Sequence, residues 1–236
     1  MYRNRLFAIG FRGFCFALAL AGLLAETGVF EGRFGASILM YYTIQSNLLG
    51  IFLFGLLLAR TVKGYREDGI TGKTDYYPRF EMIATVDLLL TPVVYWLLLA
   101  PTIFSSSNQY GLWTFGNLCV HLATPLFCLA DYLFFARTPH LKYRDAYLIL
   151  LYPLAYVAVN SIVGALGYVY RTGSGGVPVH YPYFFMDYDR IGWGALAYIG
   201  ALIAAFLILS HALYLFDRKG RKTAPGAADG KTRTSA

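Results

Sequence analysis

Thr43 and His121 are two residues of this sequence whose side chains could together perform nucleophilic hydrolysis. A threonine hydroxyl is a weak nucleophile at neutral pH, but an adjacent imidazole can take its proton and later pass it to a leaving group. Asn47 lies four residues after Thr43, and Asn117 lies four residues before His121, so each asparagine shares a helix face with one member of the pair. Their amides could orient the imidazole or donate to a developing oxyanion.

Depth along the predicted helices indicates that Thr43 and His121 can meet. Thr43 is seven residues past Ala36 and His121 is eight past Trp113, where two apolar runs begin. Both runs are predicted to start at the same membrane surface, and at ~1.5 Å per residue both side chains lie roughly 10–12 Å below it. Asn160, in the middle or outer half of a third run, could join them. The alternative is a polar packing network, because a buried helical threonine usually bonds its own backbone.

Asp87, Asp131 and His211 form a second predicted polar group, near the opposite end of the apolar runs. Polar groups in hydrocarbon are costly, so each requires a partner or a function. These three could pair with one another, or Asp131 could reach Arg137 at the interface. A structural network near the cytoplasmic surface is favoured over catalysis for this group.

Several other chemistries are excluded by spacing and motif. His121 and His211 differ in depth by ~15 Å, which is too far for a bis-histidine haem. The sequence contains no H-E-x-x-H zinc motif, no G-x-S-x-G nucleophile elbow and no P-loop. Cys15, Cys119 and Cys128 lie inside apolar runs and are interpreted as small hydrophobic residues rather than a disulfide framework. No metal and no cofactor are therefore predicted.

The elements that carry these residues are six apolar runs, each with the length of about 20 residues that crosses a bilayer as a helix. The runs are continuous, whereas transmembrane strands alternate. With 57% hydrophobic and only 14% charged residues, a water-soluble globule could not cover this apolar surface. The sequence predicts an all-α bundle of six transmembrane helices over residues 1–217 and a disordered, basic, cytoplasmic tail over 218–236. The predicted spans are 9–30, 36–59, 82–104, 113–136, 146–168 and 193–216.

Most lysines and arginines lie in gaps on the same predicted side of the membrane. Seventeen of the 20 lysines and arginines lie before or at the start of span one, between spans two and three, between four and five, or after six. By the positive-inside rule, this bias places both termini in the cytoplasm. The net charge of +7 then requires no nucleic-acid partner. A cleaved signal peptide is the competing interpretation of span one, but cleavage would leave five spans and put the basic gaps on the wrong side.

The connection over residues 177–193, between spans five and six, is crowded with aromatic side chains. We expect it to lie in the outer interface and to cap the site of Thr43 and His121. The alternative is an aromatic belt that only anchors span six. The residues concerned are Tyr181, Tyr183, Phe184, Phe185, Tyr188 and Trp193.

Five short stretches, in order along most of the chain, resemble motifs of a bacterial six-pass membrane family. Residues 41–49 (YYTIQSNLL) resemble its F-T-x-Q-S-N stretch. Residues 117–125 (NLCVHLATP) and 129–135 (LADYLFF) resemble its H-x-x-x-P and D-W-L-L-F stretches, with Tyr132 at the usual Trp. Residues 152–156 and 181–187 resemble its two Tyr-Pro motifs, and Phe184 stands where the family often has Pro.

This family is similar to the eukaryotic androgen-induced proteins, to which it looks distantly related. Those proteins are six-pass enzymes that use an intramembrane Thr and His to hydrolyse fatty acid esters of hydroxy fatty acids. The resemblance implies that Thr43 and His121 occupy those two positions, in a lipid-ester hydrolase of a bacterial inner membrane. The competing interpretation is a non-catalytic multipass protein, either a small transporter or a helper subunit.

The charge pattern generates a topology prediction. Single cysteines placed near Lys73 and Lys142 should react only with membrane-permeant thiol reagents applied to intact cells, because both gaps are predicted to be cytoplasmic. Cysteines near Ser106 and Gly175 should react with impermeant reagents from outside. Labelling of the Lys142 position by an impermeant reagent would contradict the six-span topology.

Overall fold

The chain folds as an all-helical bundle, which confirms the predicted fold class. The computed structural model describes residues 3–101, 111–135 and 141–222. Within these ranges six helices are long and apolar enough to cross a membrane, so the chain is a multipass membrane protein. The helices are α1 (Arg5–Glu26), α2 (Tyr42–Asp68), α3 (Pro78–Leu99), α4 (Phe115–Phe135), α5 (Asp145–Ala165) and α6 (Gly194–Lys222).

Local capping moves the ends of α1 away from the apolar run 9–30. The helix begins at Arg5 because the Asn4 side chain accepts a hydrogen bond from the Phe7 amide, 3.1 Å away. It ends at Glu26, and Gly28 then adopts a φ of +71°, which favours glycine. Hydropathy does not record either event, so the predicted span is displaced by about one turn of helix.

The predicted bounds of span two and of the tail are also corrected. Residues Ala36–Met40 form a separate 3₁₀ helix, and α2 begins only at Tyr42. It then continues to Asp68, well past the predicted end at residue 59, because a helix can extend into water beyond its apolar part. In the same way α6 reaches Lys222, so its predicted end at 216 and the predicted start of the tail at 218 are too early.

The remaining spans differ from the prediction by a few residues at their ends. α3 begins at Pro78 rather than at residue 82, since proline suits the first turn of a helix. α5 ends at Ala165, three residues before the predicted end at 168. Some positions named in the sequence analysis lie outside the described residues: the far end of predicted span three, residue 136, Arg137, Ser106 and residues 223–236 of the tail.

The connection between α5 and α6 has its own short elements. Strands β1 (Arg171–Thr172) and β2 (Pro178–Val179) pair antiparallel. A 3₁₀ turn over Phe184–Met186 and a one-turn helix over Tyr188–Ile191 follow. All of these elements except β1 belong to the aromatic loop, defined here as residues 177–193, which lies over the end of the bundle where α2 begins.

Helices α1 to α4 pack into one unit. α6 packs on this unit through α3, and the start of α5 packs on α6. α1 and α4 approach closely because glycines face the partner backbone. A Cβ atom at Gly22 would overlap the Cys119 side chain, and one at Gly116 would lie 2.6 Å from the Glu26 nitrogen. This close contact sets the position of α4, the helix that carries His121.

A buried ion pair joins the four-helix unit near the end where α1 begins. Arg12 of α1 donates from Nε and Nη2 to the two carboxylate oxygens of Asp131 in α4, at 2.8 and 2.9 Å. Its Nη1 donates to Thr61 Oγ1 of α2 and to the Thr74 carbonyl, at 2.6 and 2.9 Å. Arg12 is fully buried and Glu81, also fully buried, lies beside this group. Asp131 therefore has an arginine partner that the sequence analysis did not assign.

Removing one charge of this pair should destabilise the bundle strongly. We expect Arg12→Leu to lower the free energy of unfolding by about 3–5 kcal/mol, because Asp131 would keep an unpaired charge in the interior. The double variant Arg12→Leu, Asp131→Leu should recover part of that loss. Unfolding by sodium dodecyl sulfate in mixed micelles, followed by circular dichroism, measures both changes.

Arg33→Leu is the matched control, since the Arg33 side chain is 76% exposed and its contact with Glu31 is 3.8 Å long. Surface pairs of this kind contribute about 0–1 kcal/mol. An Arg12→Leu variant no less stable than this control would show that the buried pair does not hold the helices together.

Candidate active site

Thr43 is the second residue of α2, where backbone amides lack an acceptor within the helix. Two tyrosine hydroxyls supply that acceptor. The Tyr42 amide donates to the Tyr156 hydroxyl of α5 at 3.2 Å, and the Thr43 amide donates to the Tyr183 hydroxyl of the aromatic loop at 3.4 Å. The position of the threonine therefore depends on two elements more than 100 residues away in sequence.

His121 lies in a π turn, Cys119–Ala123, which interrupts α4. In this turn the Thr124 amide donates to the Cys119 carbonyl, five residues earlier. Pro125 follows, and because proline has no amide hydrogen it cannot donate to the His121 carbonyl as a regular α-helix would require. The wider turn accommodates that gap, and π turns of this kind occur frequently at functional sites.

The facing helix α3 has the same irregularity. Its π turn spans Tyr95–Leu99, the Ala100 amide donates to the Tyr95 carbonyl, and Pro101 follows two residues after the turn, as Pro125 does in α4. The Tyr95 ring stacks on the His121 ring, with centroids 3.7 Å apart and planes 23° from parallel. The two π turns thus present the two stacked rings to each other.

The structure brings the side chains of Thr43 and His121 together. Thr43 Oγ1 lies 3.4 Å from His121 Nε2, and His121 Nδ1 lies 3.2 Å from the Asn117 carbonyl oxygen. A carbonyl only accepts, so the second contact requires the hydrogen on Nδ1, and the neutral ring then presents Nε2 as an acceptor. Nε2 faces the threonine hydroxyl at a distance that is long for a hydrogen bond, as is common before a substrate binds.

The asparagines expected to support the pair make other contacts. Asn47 Nδ2 donates to the carbonyls of Thr43 and Val120, at 2.8 and 3.0 Å, and so ties the start of α2 to α4. Asn117 Nδ2 donates to the Leu112 carbonyl at 2.6 Å. The backbone of Asn117, rather than its side chain, orients His121. Both side-chain amides are directed to backbone carbonyls, which the helical spacing alone could not indicate.

Asn160 is bonded within α5 and to the following connection rather than to Thr43 or His121. Its Nδ2 donates to the Tyr156 carbonyl at 2.9 Å, and its Oδ1 accepts from the Tyr170 hydroxyl at 2.6 Å. Its link to the site is Tyr156, whose hydroxyl supports the start of α2.

The second predicted group does not assemble among the described residues. Asp131 is paired with Arg12, and Asp87 accepts from the Tyr42 hydroxyl at 3.0 Å. His211 bonds the Leu207 carbonyl at 2.7 Å, and its ring meets the edges of two tyrosines on α5 and just before it. Helices α3, α4 and α6 present these three side chains to different neighbours, so the inference from depth alone was wrong for this group.

Thr43 opens onto a narrow apolar cavity that is partly open to the surface. Tyr95 and Tyr183 also line it, whereas His121 lies behind the Tyr95 ring and is 6% exposed. The far walls come from the apolar sides of α5, α6 and the aromatic loop: Leu154, Val157, Ile199, Leu202, Phe206 and Phe185.

The aromatic loop forms one wall of this cavity through Tyr183, Phe185 and Met186. Tyr183 stacks on Phe185, with centroids 5.0 Å apart and planes 7° from parallel, and meets the edge of Tyr41 at 5.7 Å. Trp193, at the far end of the loop, is 87% exposed, as an interfacial anchor would be. Burial raises the pKa of the Tyr183 hydroxyl to about 12, although hydrogen bonds with the Thr43 side chain and amide act in the opposite direction. This hydroxyl therefore keeps its proton at neutral pH.

Sequence reasoning did not find Tyr95 or Tyr156, and it named Tyr183 only as part of the loop. The prolines two residues after each π turn were a signal for the irregular turns, but they do not predict which rings meet. The hydroxyl partners at the start of α2, Tyr156 and Tyr183, lie within the two Tyr-Pro stretches, but neither stretch indicates that its tyrosine meets α2, because each contact joins distant segments.

Comparisons with protein-family models, with curated proteins and with solved structures found no match to this chain. The resemblance drawn from the five motifs therefore stays a prediction, and the function has to be argued from the geometry of the site.

The stack of Tyr95 on His121 should be visible by NMR. In protein with isotope-labelled histidine, we expect ring-current shifts of the His121 ring protons that disappear in Tyr95→Leu. Tyr143→Leu is the matched control, because Tyr143 meets the His211 ring at 5.6 Å and its loss should shift only that signal. Unchanged His121 signals in Tyr95→Leu would contradict the stacked arrangement.

Proposed function

We propose that this protein is a membrane-embedded hydrolase of lipid esters, with Thr43 as the nucleophile and His121 as the general base. One observation carries the proposal: the His121 ring bridges the Asn117 carbonyl and the Thr43 hydroxyl, 3.2 and 3.4 Å away. That bridge selects the tautomer in which Nε2 can take the hydroxyl proton. The arrangement has the form of an activated nucleophile: a hydroxyl, an adjacent base and a third group that orients the base.

The proposed reaction uses only these protein groups and water. His121 Nε2 takes the Thr43 proton while Oγ1 bonds the ester carbonyl carbon. As the tetrahedral intermediate collapses, the bond to the alcohol oxygen breaks and His121 returns the proton to that oxygen. Water, activated by the same imidazole, then hydrolyses the acyl-threonine and releases the acid.

The cavity supports an acyl chain as the part of the substrate that is recognised. Its walls on α5 and α6 are apolar, and the outward sides of both helices are exposed, with Leu151 at 67% and Ile208 at 70%. In a membrane these sides would face lipid chains, so an acyl chain could enter laterally and bring its ester to Thr43. With the resemblance, this supports a lipid or lipid-like ester, of the type in which a fatty acid esterifies a hydroxy fatty acid, in a bacterial inner membrane.

Loss of either member of the pair should remove the activity. With purified protein in lipid vesicles and a fluorogenic long-chain ester, we expect Thr43→Ala and His121→Ala each to lose about 10³-fold or more in kcat. Thr43→Ser should keep part of the activity, since the hydroxyl remains. A fluorophosphonate should label Thr43 in the wild-type protein and fail to label Thr43→Ala, as peptide mass spectrometry would show.

Ser46→Ala is the matched control. Ser46 is buried one turn further along α2, and its hydroxyl bonds the Thr43 carbonyl and Thr91 rather than the His121 ring. Its activity should stay close to wild type. Absence of hydrolysis and of labelling in the wild-type protein, with Thr43→Ala less stable than wild type, would instead support the non-catalytic interpretation, in which these residues form a polar packing network of a small transporter or helper subunit.

A further inference from the structure

We propose that the Tyr183 hydroxyl is the donor that stabilises the oxyanion formed when Thr43 attacks an ester, which makes it a catalytic residue of the aromatic loop. This inference rests on the proposed hydrolase function. It replaces the oxyanion role that the sequence suggested for the asparagines.

Position is the first argument. The Tyr183 hydroxyl oxygen lies 3.4 Å from the Thr43 amide nitrogen, and the ring lines the same cavity as Thr43. The phenol therefore lies beside the atom that would form the covalent bond, on the cavity side, while His121 lies behind Tyr95.

The direction of its hydrogen is the second argument. The hydroxyl oxygen accepts the hydrogen of the Thr43 amide, so its own hydrogen is free to point to Thr43 Oγ1 or into the cavity. The raised pKa means that this hydrogen is present at neutral pH. A substrate carbonyl that approaches Thr43 from the cavity would meet it.

Other nearby donors are already committed, which is the third argument. Asn47 uses both amide hydrogens on the carbonyls of Thr43 and Val120. The Tyr156 hydroxyl donates to the Met40 carbonyl at 3.0 Å, and the Tyr42 hydroxyl donates to Asp87.

Two more polar groups border the site. Asn117 directs Nδ2 to the Leu112 carbonyl and is fully buried, and the Tyr95 hydroxyl lies beside the Asn117 side chain. Neither group forms a hydrogen bond with Thr43 in the described part of the chain, whereas the Tyr183 hydroxyl accepts from the Thr43 amide, so Tyr183 is the phenol placed at the nucleophile.

The phenol is also held rigidly. Tyr183 is 8% exposed, stacks on Phe185 and meets the edge of Tyr41. A donor fixed before the reaction needs no reorganisation when charge develops, and donors of this kind contribute most in sites that exclude water.

In the reaction, attack by Oγ1 moves the carbonyl π electrons onto oxygen while the Thr43 proton passes to His121 Nε2. The new oxyanion accepts a hydrogen bond from Tyr183, which keeps its proton throughout. Collapse re-forms the C=O bond, breaks the bond to the alcohol oxygen and transfers the proton from His121 to that oxygen.

Tyr183→Phe tests the proposal with the fluorogenic long-chain ester in lipid vesicles. We expect kcat to fall by about 10²–10³-fold, the effect of losing one oxyanion donor. KM should change little, because the ring and its packing remain. Fluorophosphonate labelling of Thr43 should slow in parallel, since the phosphoryl oxygen would occupy the same position.

Tyr181→Phe is the matched control from the same loop. Its ring packs on Tyr188, outside the cavity lining, so its kcat should equal that of the wild type. Wild-type kcat in Tyr183→Phe, with Thr43→Ala inactive, would overturn the role of Tyr183 and leave the proposed function intact. Absence of hydrolysis in the wild-type protein would overturn both.

A second variant covers the case in which Tyr183→Phe does not fold. Fluorinated tyrosine incorporated at position 183 keeps the ring and the hydroxyl but changes the acidity of the donor. We expect kcat to change with the degree of fluorination, while the unfolding temperature stays constant. A kcat that is independent of fluorination would show that the hydroxyl only supports the start of α2, and would overturn the proposal.

Discussion

Hydrocarbon offers no hydrogen-bond partners, so polar groups inside this bundle have to be satisfied by the protein itself. The half-buried start of α2 shows the consequence. Its first two amides donate to the hydroxyls of Tyr156 and Tyr183, and the Thr43 carbonyl accepts from Asn47, which also reaches α4. Contacts that satisfy the backbone therefore also hold the threonine against α4, α5 and the aromatic loop.

The same requirement accounts for the position of the imidazole. Two prolines interrupt the α-helical hydrogen-bond pattern of α3 and α4, and a π turn precedes each of them. The turns bring Tyr95 and His121 into a stack, and the Asn117 carbonyl meets the His121 ring. In α3 and α4 these π turns thus lie where a hydroxyl and an imidazole meet beside a cavity.

Much of the fold could be predicted from sequence, because the number of spans depends on runs of apolar residues that a bilayer requires. The ends of the helices could not. Asn4 caps α1, which begins at Arg5, four residues before the first span was expected to start, and α2 and α6 continue into polar sequence that hydropathy excludes. The buried partner of Asp131 was also missed, since Arg12 lies at the start of span one and was interpreted as a topological charge.

The sequence by itself determined that the chain is a multipass helical membrane protein, and its depth arithmetic led to Thr43 and His121, whose side chains lie 3.4 Å apart. Span length and depth are properties of one helix at a time, measured against a bilayer of fixed thickness. Rotation of each helix about its axis is set by packing between helices. Only the tertiary structure could therefore decide that Asn47 and Asn117 face backbone carbonyls, that Tyr95 stacks on the imidazole, and that Tyr183 reaches the threonine from a loop 140 residues away.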